Sequence, residues 1–195
     1  MRLLNFMLFL LFSAQVWAFS PSDLRAFGTN SEAQLYLFTS LGCVHCVDFH
    51  KKVLPDLKKE YVDTNKVQLI IVDVIRGADS LIATQALRCL DVPRASKLED
   101  DLYANQSKWL GKNQAESKKV IASYALKQGM DQKLFNLCTT DKNLQEAIME
   151  QQANLGMLYE ITGTPTLVLR QGNVVRKWMG SDKKEILKGL KEAFE

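Results

Sequence analysis

Gln34-Leu35-Tyr36-Leu37-Phe38-Thr39-Ser40-Leu41-Gly42-Cys43-Val44-His45-Cys46 is the stretch on which the fold turns. Its first six residues form a short apolar, aromatic-rich run of the kind that makes a buried strand. Ser40-Leu41-Gly42 ends that run. Beyond it, Val47, Val53, Leu54, Leu57 and Tyr61 recur at helical spacings among lysines and acids, which predicts a helix over 44–61. Cys43 therefore stands at a strand-to-helix junction. Pro55 falls inside the helix and removes an amide donor, so the segment is either one kinked helix or two short ones in succession.

Working outward, 20–33 reads as a polar lead-in. Val67 to Ile75 is β-branched and nearly continuous, as expected of a strand covered on both faces in a mainly parallel sheet. From Ala78 to about Tyr159 the chain is rich in alanine, leucine, lysine and glutamine with helical periodicity, and no strand is expected there. Thr164 to Arg170, the turn Gln171-Gly172-Asn173, and Val174 to Trp178 read as an antiparallel hairpin. Asp182 then caps a closing amphipathic helix. The order β-α-β, helices, β-β-α is that of an α/β thioredoxin fold with an inserted helical domain. The expected divisions are 19–77, an insertion over 78–159, and 160–195.

Ahead of this domain, Met1-Arg2 is followed by an apolar run from Leu3 to Phe12 and by Val16-Trp17-Ala18. These read as the basic region, apolar region and small-residue cleavage site of a signal peptide over 1–18. The run is about half the roughly 20 residues of a membrane-spanning helix; an uncleaved anchor is the competing reading. The expected product is an exported, periplasmic protein of one domain. Net charge is +3 and the lysines are scattered as pairs such as Lys118-Lys119. Such pairs read as solvated helix faces, so no nucleic-acid partner is expected. All four cysteines lie beyond the leader, in an export context where disulfides persist.

Two cysteines separated by two residues at a helix start can close a small disulfide ring. Cys43 is the better nucleophile, because free amide donors and the positive end of the helix stabilise its thiolate. His45 could add a donor or a positive charge to the same sulfur. Cys46, one turn in, would be shielded and would resolve a mixed disulfide. Cys43, Cys46 and His50 also have the spacing of zinc ligands, but a structural site needs a fourth; His50 reads instead as a solvent-facing helix residue. Thr164-Pro165 stands immediately before a strand. With a cis peptide bond there, Thr164 would offer its backbone to an extended peptide lying beside the cysteines.

Phe38, Cys43-Val44-His45-Cys46, Phe49, the strand from Val67, Cys89, Leu134-Phe135-Asn136-Leu137-Cys138 and Ile161-Thr162-Gly163-Thr164-Pro165-Thr166 together resemble the DsbA-like thiol–disulfide interchange proteins. The resemblance implies an exported oxidoreductase that donates disulfides to reduced or unfolded proteins and needs no metal or organic cofactor. It implies Cys43 as attacking cysteine, Cys46 as its partner, and Thr164 with Pro165 in the substrate groove. It also implies a membrane redox partner that resets the pair. Some branches carry two further cysteines, here Cys89 and Cys138; a structural disulfide between them or two buried thiols are the open choices. The chain departs from the family in Val44, where proline is frequent, and in Leu37, where many members carry a buried acid. A reductase or isomerase on the same fold is the alternative. Isomerases of the related type carry an N-terminal dimerisation domain, which the short stretch before the first strand does not provide, so a monomer is expected. A non-catalytic exported metal-binding module is the reading from another class.

Overall fold

The computed structural model describes residues 24–29 and 31–195, so the expected signal peptide lies outside the described residues. Among them a five-stranded sheet runs in the order β1-β3-β2-β4-β5. β2 (Ala33–Thr39) and β3 (Gln68–Asp73) are parallel. β4 (Thr166–Gln171) and β5 (Val174–Met179) form the expected hairpin, with β4 antiparallel to β2. Side chains of the central strands alternate strictly between two cores, as a pleated strand covered on both faces requires. Leu35, Leu37, Leu69 and Ile71 pack with Phe49 and Leu57 on one face and with Ile186 and Leu190 of the closing helix α9 (Lys183–Phe194). Tyr36, Phe38, Ile70 and Val72 pack with Val168 and Tyr159 on the other.

One local expectation needs correcting, and one choice left open by the sequence is decided. The polar lead-in contains a strand, β1 (Arg25–Phe27), which pairs antiparallel with β3. The segment after the cysteines is not one helix: α1 (Val44–Lys52) stops at Val53, α2 (Leu54–Leu57) restarts with Pro55 in its first turn, and one turn of π-helix (Lys58–Val62) follows. Proline is tolerated in a first turn because the amide it lacks would have no partner there.

Six helices separate β3 from β4: α3 (Ala78–Arg88), α4 (Val92–Ala104), α5 (Gln106–Trp109), α6 (Gln114–Lys127), α7 (Gln132–Thr140) and α8 (Lys142–Leu158). Their starts are written in the sequence. Asp91, Asn113, Asp131 and Asp141 each accept amide protons at the N-termini of α4, α6, α7 and α8, as Asp182 does for α9. Each such cap is worth about 1 kcal/mol. Cys89, at the end of α3, is joined to Cys138 of α7, with an S–S distance of 2.05 Å and Cα atoms 6.3 Å apart. The core of this helical layer, built on Leu98, Leu102, Tyr103, Trp109, Ile121 and Phe135, also takes in Leu41, Cys43 and Cys46. The cysteine pair thus sits where the sheet meets the insertion. Among the described residues no helix is long and apolar enough to cross a membrane.

Candidate active site

β2 ends at Thr39, and the loop 40–43 turns the chain into α1. The Cys43 amide donates to the Ser40 carbonyl at 3.1 Å, and Cys43 itself is the N-cap of α1. Gln106, at the start of α5, donates from Nε2 to the carbonyls of Leu41 at 2.7 Å and Cys43 at 3.2 Å, so the insertion grips the loop from outside. The register brings the second piece of the site alongside. Phe38 of β2 is opposite Thr166 of β4, which sets the preceding Thr164-Pro165 bond beside the end of β2. That bond is cis. The Pro165 carbonyl accepts from the Gly180 amide at 2.8 Å, and the Thr166 hydroxyl donates to the Gly163 carbonyl at 2.8 Å, which fixes the loop from both sides. Cys43 Sγ donates to the Thr164 carbonyl at 3.4 Å.

Cys43 and Cys46 are free thiols in distinct surroundings. Burial alone would push the Cys43 thiol up. The side chains of Thr164 and Cys46 and the backbone amides of Cys46 and His45 outweigh that and hold it below the ordinary thiol value. The Thr164 hydroxyl is buried and has no hydrogen-bond partner among the described residues. Cys46 is completely covered; burial pushes its thiol up to about 11, in spite of donation from the Thr39 hydroxyl and the Ser40 amide. One sulfur is therefore poised as a nucleophile and the other is held in reserve, the asymmetry that a dithiol exchange needs.

His45 is exposed, and no hydrogen bond joins its ring to either sulfur; its backbone amide is the part that acts on Cys43. His50 is not the solvent-facing residue expected. Its side chain is 15% exposed, its ring lies 4.6 Å from that of Tyr103, and Nε2 is 2.6 Å from Asp100 Oδ1. The cause is α4, which covers this face of α1. Among the described residues no group of three or more histidine, cysteine, aspartate and glutamate side chains is gathered as a metal site. Leu37 is buried in the sheet core, and the acids of this region are elsewhere. Arg25 reaches Asp73 at 3.0 Å and Glu99 at 2.8 Å, and Arg88 reaches Asp73 at 2.8 Å, all below the surface. Sequence reading missed these four residues, together with Thr39, Gln106 and Tyr103. Val44 and Met179 are exposed apolar residues flanking the two loops.

A thioredoxin family model matches residues 26–188. The chain belongs to the thioredoxin family. Within that family its fold is DsbA-like. The crystal structure of Wolbachia pipientis alpha-DsbA1 is similar, with a TM-score of 0.75 and 20% identity, covering 85% of this chain and 87% of that one. Chlamydia trachomatis DsbA is similar with a TM-score of 0.70 and 20% identity, covering 86% and 90%. In sequence, a "Putative protein-disulfide oxidoreductase" of Rickettsia bellii is 23% identical over 146 residues, 74% of this chain and 56% of its own length. This thioredoxin-family chain spans about half the length of the curated relatives it matches.

Proposed function

We propose that this thioredoxin-family protein is a DsbA-type protein-disulfide oxidoreductase that exchanges disulfides with reduced or unfolded exported proteins through Cys43 and Cys46. The observation that carries the reading is the asymmetry of the pair, a Cys43 thiol held low beside a cis-proline loop and a covered Cys46 thiol pushed high. A client thiolate attacks Cys43 Sγ of the oxidised pair, and the Cys43–Cys46 bond breaks with its electrons leaving on Cys46. A second client thiolate then attacks the client sulfur of the mixed disulfide and releases reduced Cys43. Stabilising the Cys43 thiolate favours the reduced enzyme, which is the condition for a disulfide donor rather than a reductant. The backbone of Thr164 is the platform for an extended client, pairing as an added strand. Export by a signal peptide over 1–18, action as a monomer, and resetting by a membrane redox partner complete the proposal. The Cys89–Cys138 bridge is assigned a structural role: it closes a loop of 49 residues, and such a loop contributes about 4 kcal/mol by chain entropy.

Alkylation of the reduced protein as a function of pH tests this. A lowered pKa means that the thiolate persists as pH falls, so Cys43 reacts with iodoacetamide with a midpoint below the ordinary thiol value of about 8.5, and Cys46 stays unmodified through neutral pH. A Cys43 midpoint at or above that value contradicts the proposal and favours a purely structural pair.

A further inference from the structure

Cys46 has no carboxylate as a hydrogen-bond partner. Its sulfur accepts from the Ser40 amide at 3.4 Å and lies within reach of the Thr39 hydroxyl. Thr39 Oγ1 is in turn 2.8 Å from the hydroxyl of Tyr103, which α4 delivers from the helical insertion. Tyr103 is 2% exposed, and Thr39 is the one hydrogen-bond partner its hydroxyl has among the described residues. Burial, with Glu99 and Cys46 nearby, holds this phenol well above the usual tyrosine value, so it keeps its proton. A buried O–H that donates to nothing is costly, and its one acceptor among the described residues is Thr39 Oγ1. With that oxygen accepting from Tyr103, the proton of Thr39 is free for the Cys46 sulfur.

We propose that Tyr103 is a positioning residue for disulfide exchange: by donating to Thr39 it fixes the Thr39 hydroxyl as a donor to Cys46 Sγ while that sulfur leaves the disulfide. In the step concerned, the client thiolate forms a bond to Cys43 Sγ and the Cys43–Cys46 bond breaks. The electron pair departs on Cys46 Sγ, which becomes a thiolate in a covered site. A donor already aimed at the developing charge lowers the cost of that departure. This rests on Cys43 and Cys46 being the exchanging pair. The ionisable groups that act on the Tyr103 hydroxyl are Glu99 of α4, Cys46 of α1 and Arg25 of β1, and the His50 ring lies 4.6 Å from the Tyr103 ring. His50 is bonded to Asp100, and Arg25 engages both Glu99 and Asp73, so the two hydroxyls are the near polar neighbours of the sulfur on this side.

The test is the rate at which reduced glutathione opens the Cys43–Cys46 disulfide at pH 7. Tyr103→Phe keeps the ring against His50 and is expected to slow opening about tenfold, with the alkylation midpoint of Cys43 unmoved. Thr39→Val is expected to be at least as slow, Thr39→Ser to retain the parent rate, and Tyr103→Phe to add nothing in the Thr39→Val background. An opening rate for Tyr103→Phe within twofold of the parent overturns the proposal, as does a tenfold loss that persists on the Thr39→Val background. If Cys43→Ser still exchanges disulfides, the functional reading itself fails. Normal dependence on Cys43 with an unaffected Tyr103→Phe removes only the positioning role.

Discussion

Cys43→Ser lowers disulfide exchange with a reduced client peptide by at least about a thousandfold, because the step that joins enzyme to client has no other sulfur in position. The hydroxyl that replaces the thiol cannot form the mixed disulfide. Cys46→Ser has a different expected outcome. The Cys43 thiolate survives beside the Thr164 side chain and the His45 amide. It attacks a disulfide of an oxidised client, bonds one client sulfur and expels the other as a thiolate, and the mixed disulfide persists because the internal sulfur that would release it is gone. Non-reducing electrophoresis with a disulfide-containing client separates the cases. Covalent adducts are expected with Cys46→Ser and none with Cys43→Ser. Exchange retained by Cys43→Ser would remove Cys43 from the site.

Arg25→Met is the substitution with the largest expected cost in stability. The Arg25 side chain is 5% exposed and holds two carboxylates, Asp73 on β3 and Glu99 on α4, so a single guanidinium ties β1, the sheet and the insertion together. Without it Asp73 keeps Arg88, but Glu99 is left buried with no hydrogen-bond partner among the described residues. Removing one partner from such a network costs about 3–5 kcal/mol, a fall in Tm of roughly 10 °C for a chain of this size. The pH dependence follows from Asp73. Burial would raise its carboxyl, but Arg25 and Arg88 outweigh that and hold it below the usual carboxylate value. The stability it contributes is thus fully present above a pH of about 4 and is lost as pH falls through the lower native value. In Arg25→Met that acid limit moves up. A Tm within about 2 °C of the parent would show that the network contributes little.

The fold was legible where one segment carries its own evidence. β2 and β3 are apolar throughout because helices cover both faces of the sheet, and the helix starts are marked by Asp and Asn caps. β1 was not legible, since three residues containing an arginine resemble a polar lead-in until Asp73 and Glu99 are known to meet that arginine. The break at Val53 was half visible: Pro55 announced a disruption, but whether it kinks one helix or opens a second depends on the packing of Val53 and Leu54. In the site, the cysteine pair and Thr164-Pro165 could be found because their chemistry is local to a short motif. His45 was read as a ring acting on the thiolate, and spacing alone cannot say that the ring points outward while the amide faces the sulfur. His50, Gln106 and Tyr103 acquire their places only when α4 and α5 fold over the loop, which no periodicity in their own segments signals. The partner of Cys89 was suggested by resemblance alone, since a spacing of 49 residues does not choose among four cysteines.

The central claim is that the surroundings of Cys43 favour its thiolate enough to make the Cys43–Cys46 disulfide an oxidant. The most direct measurement is the reduction potential of this pair in glutathione buffers, with Cys89→Ser, Cys138→Ser as the control that isolates it. A potential toward the oxidising end of the family, about −120 mV, is the predicted result; one near about −270 mV, where thioredoxin lies, would make the protein a reductant and contradict the account.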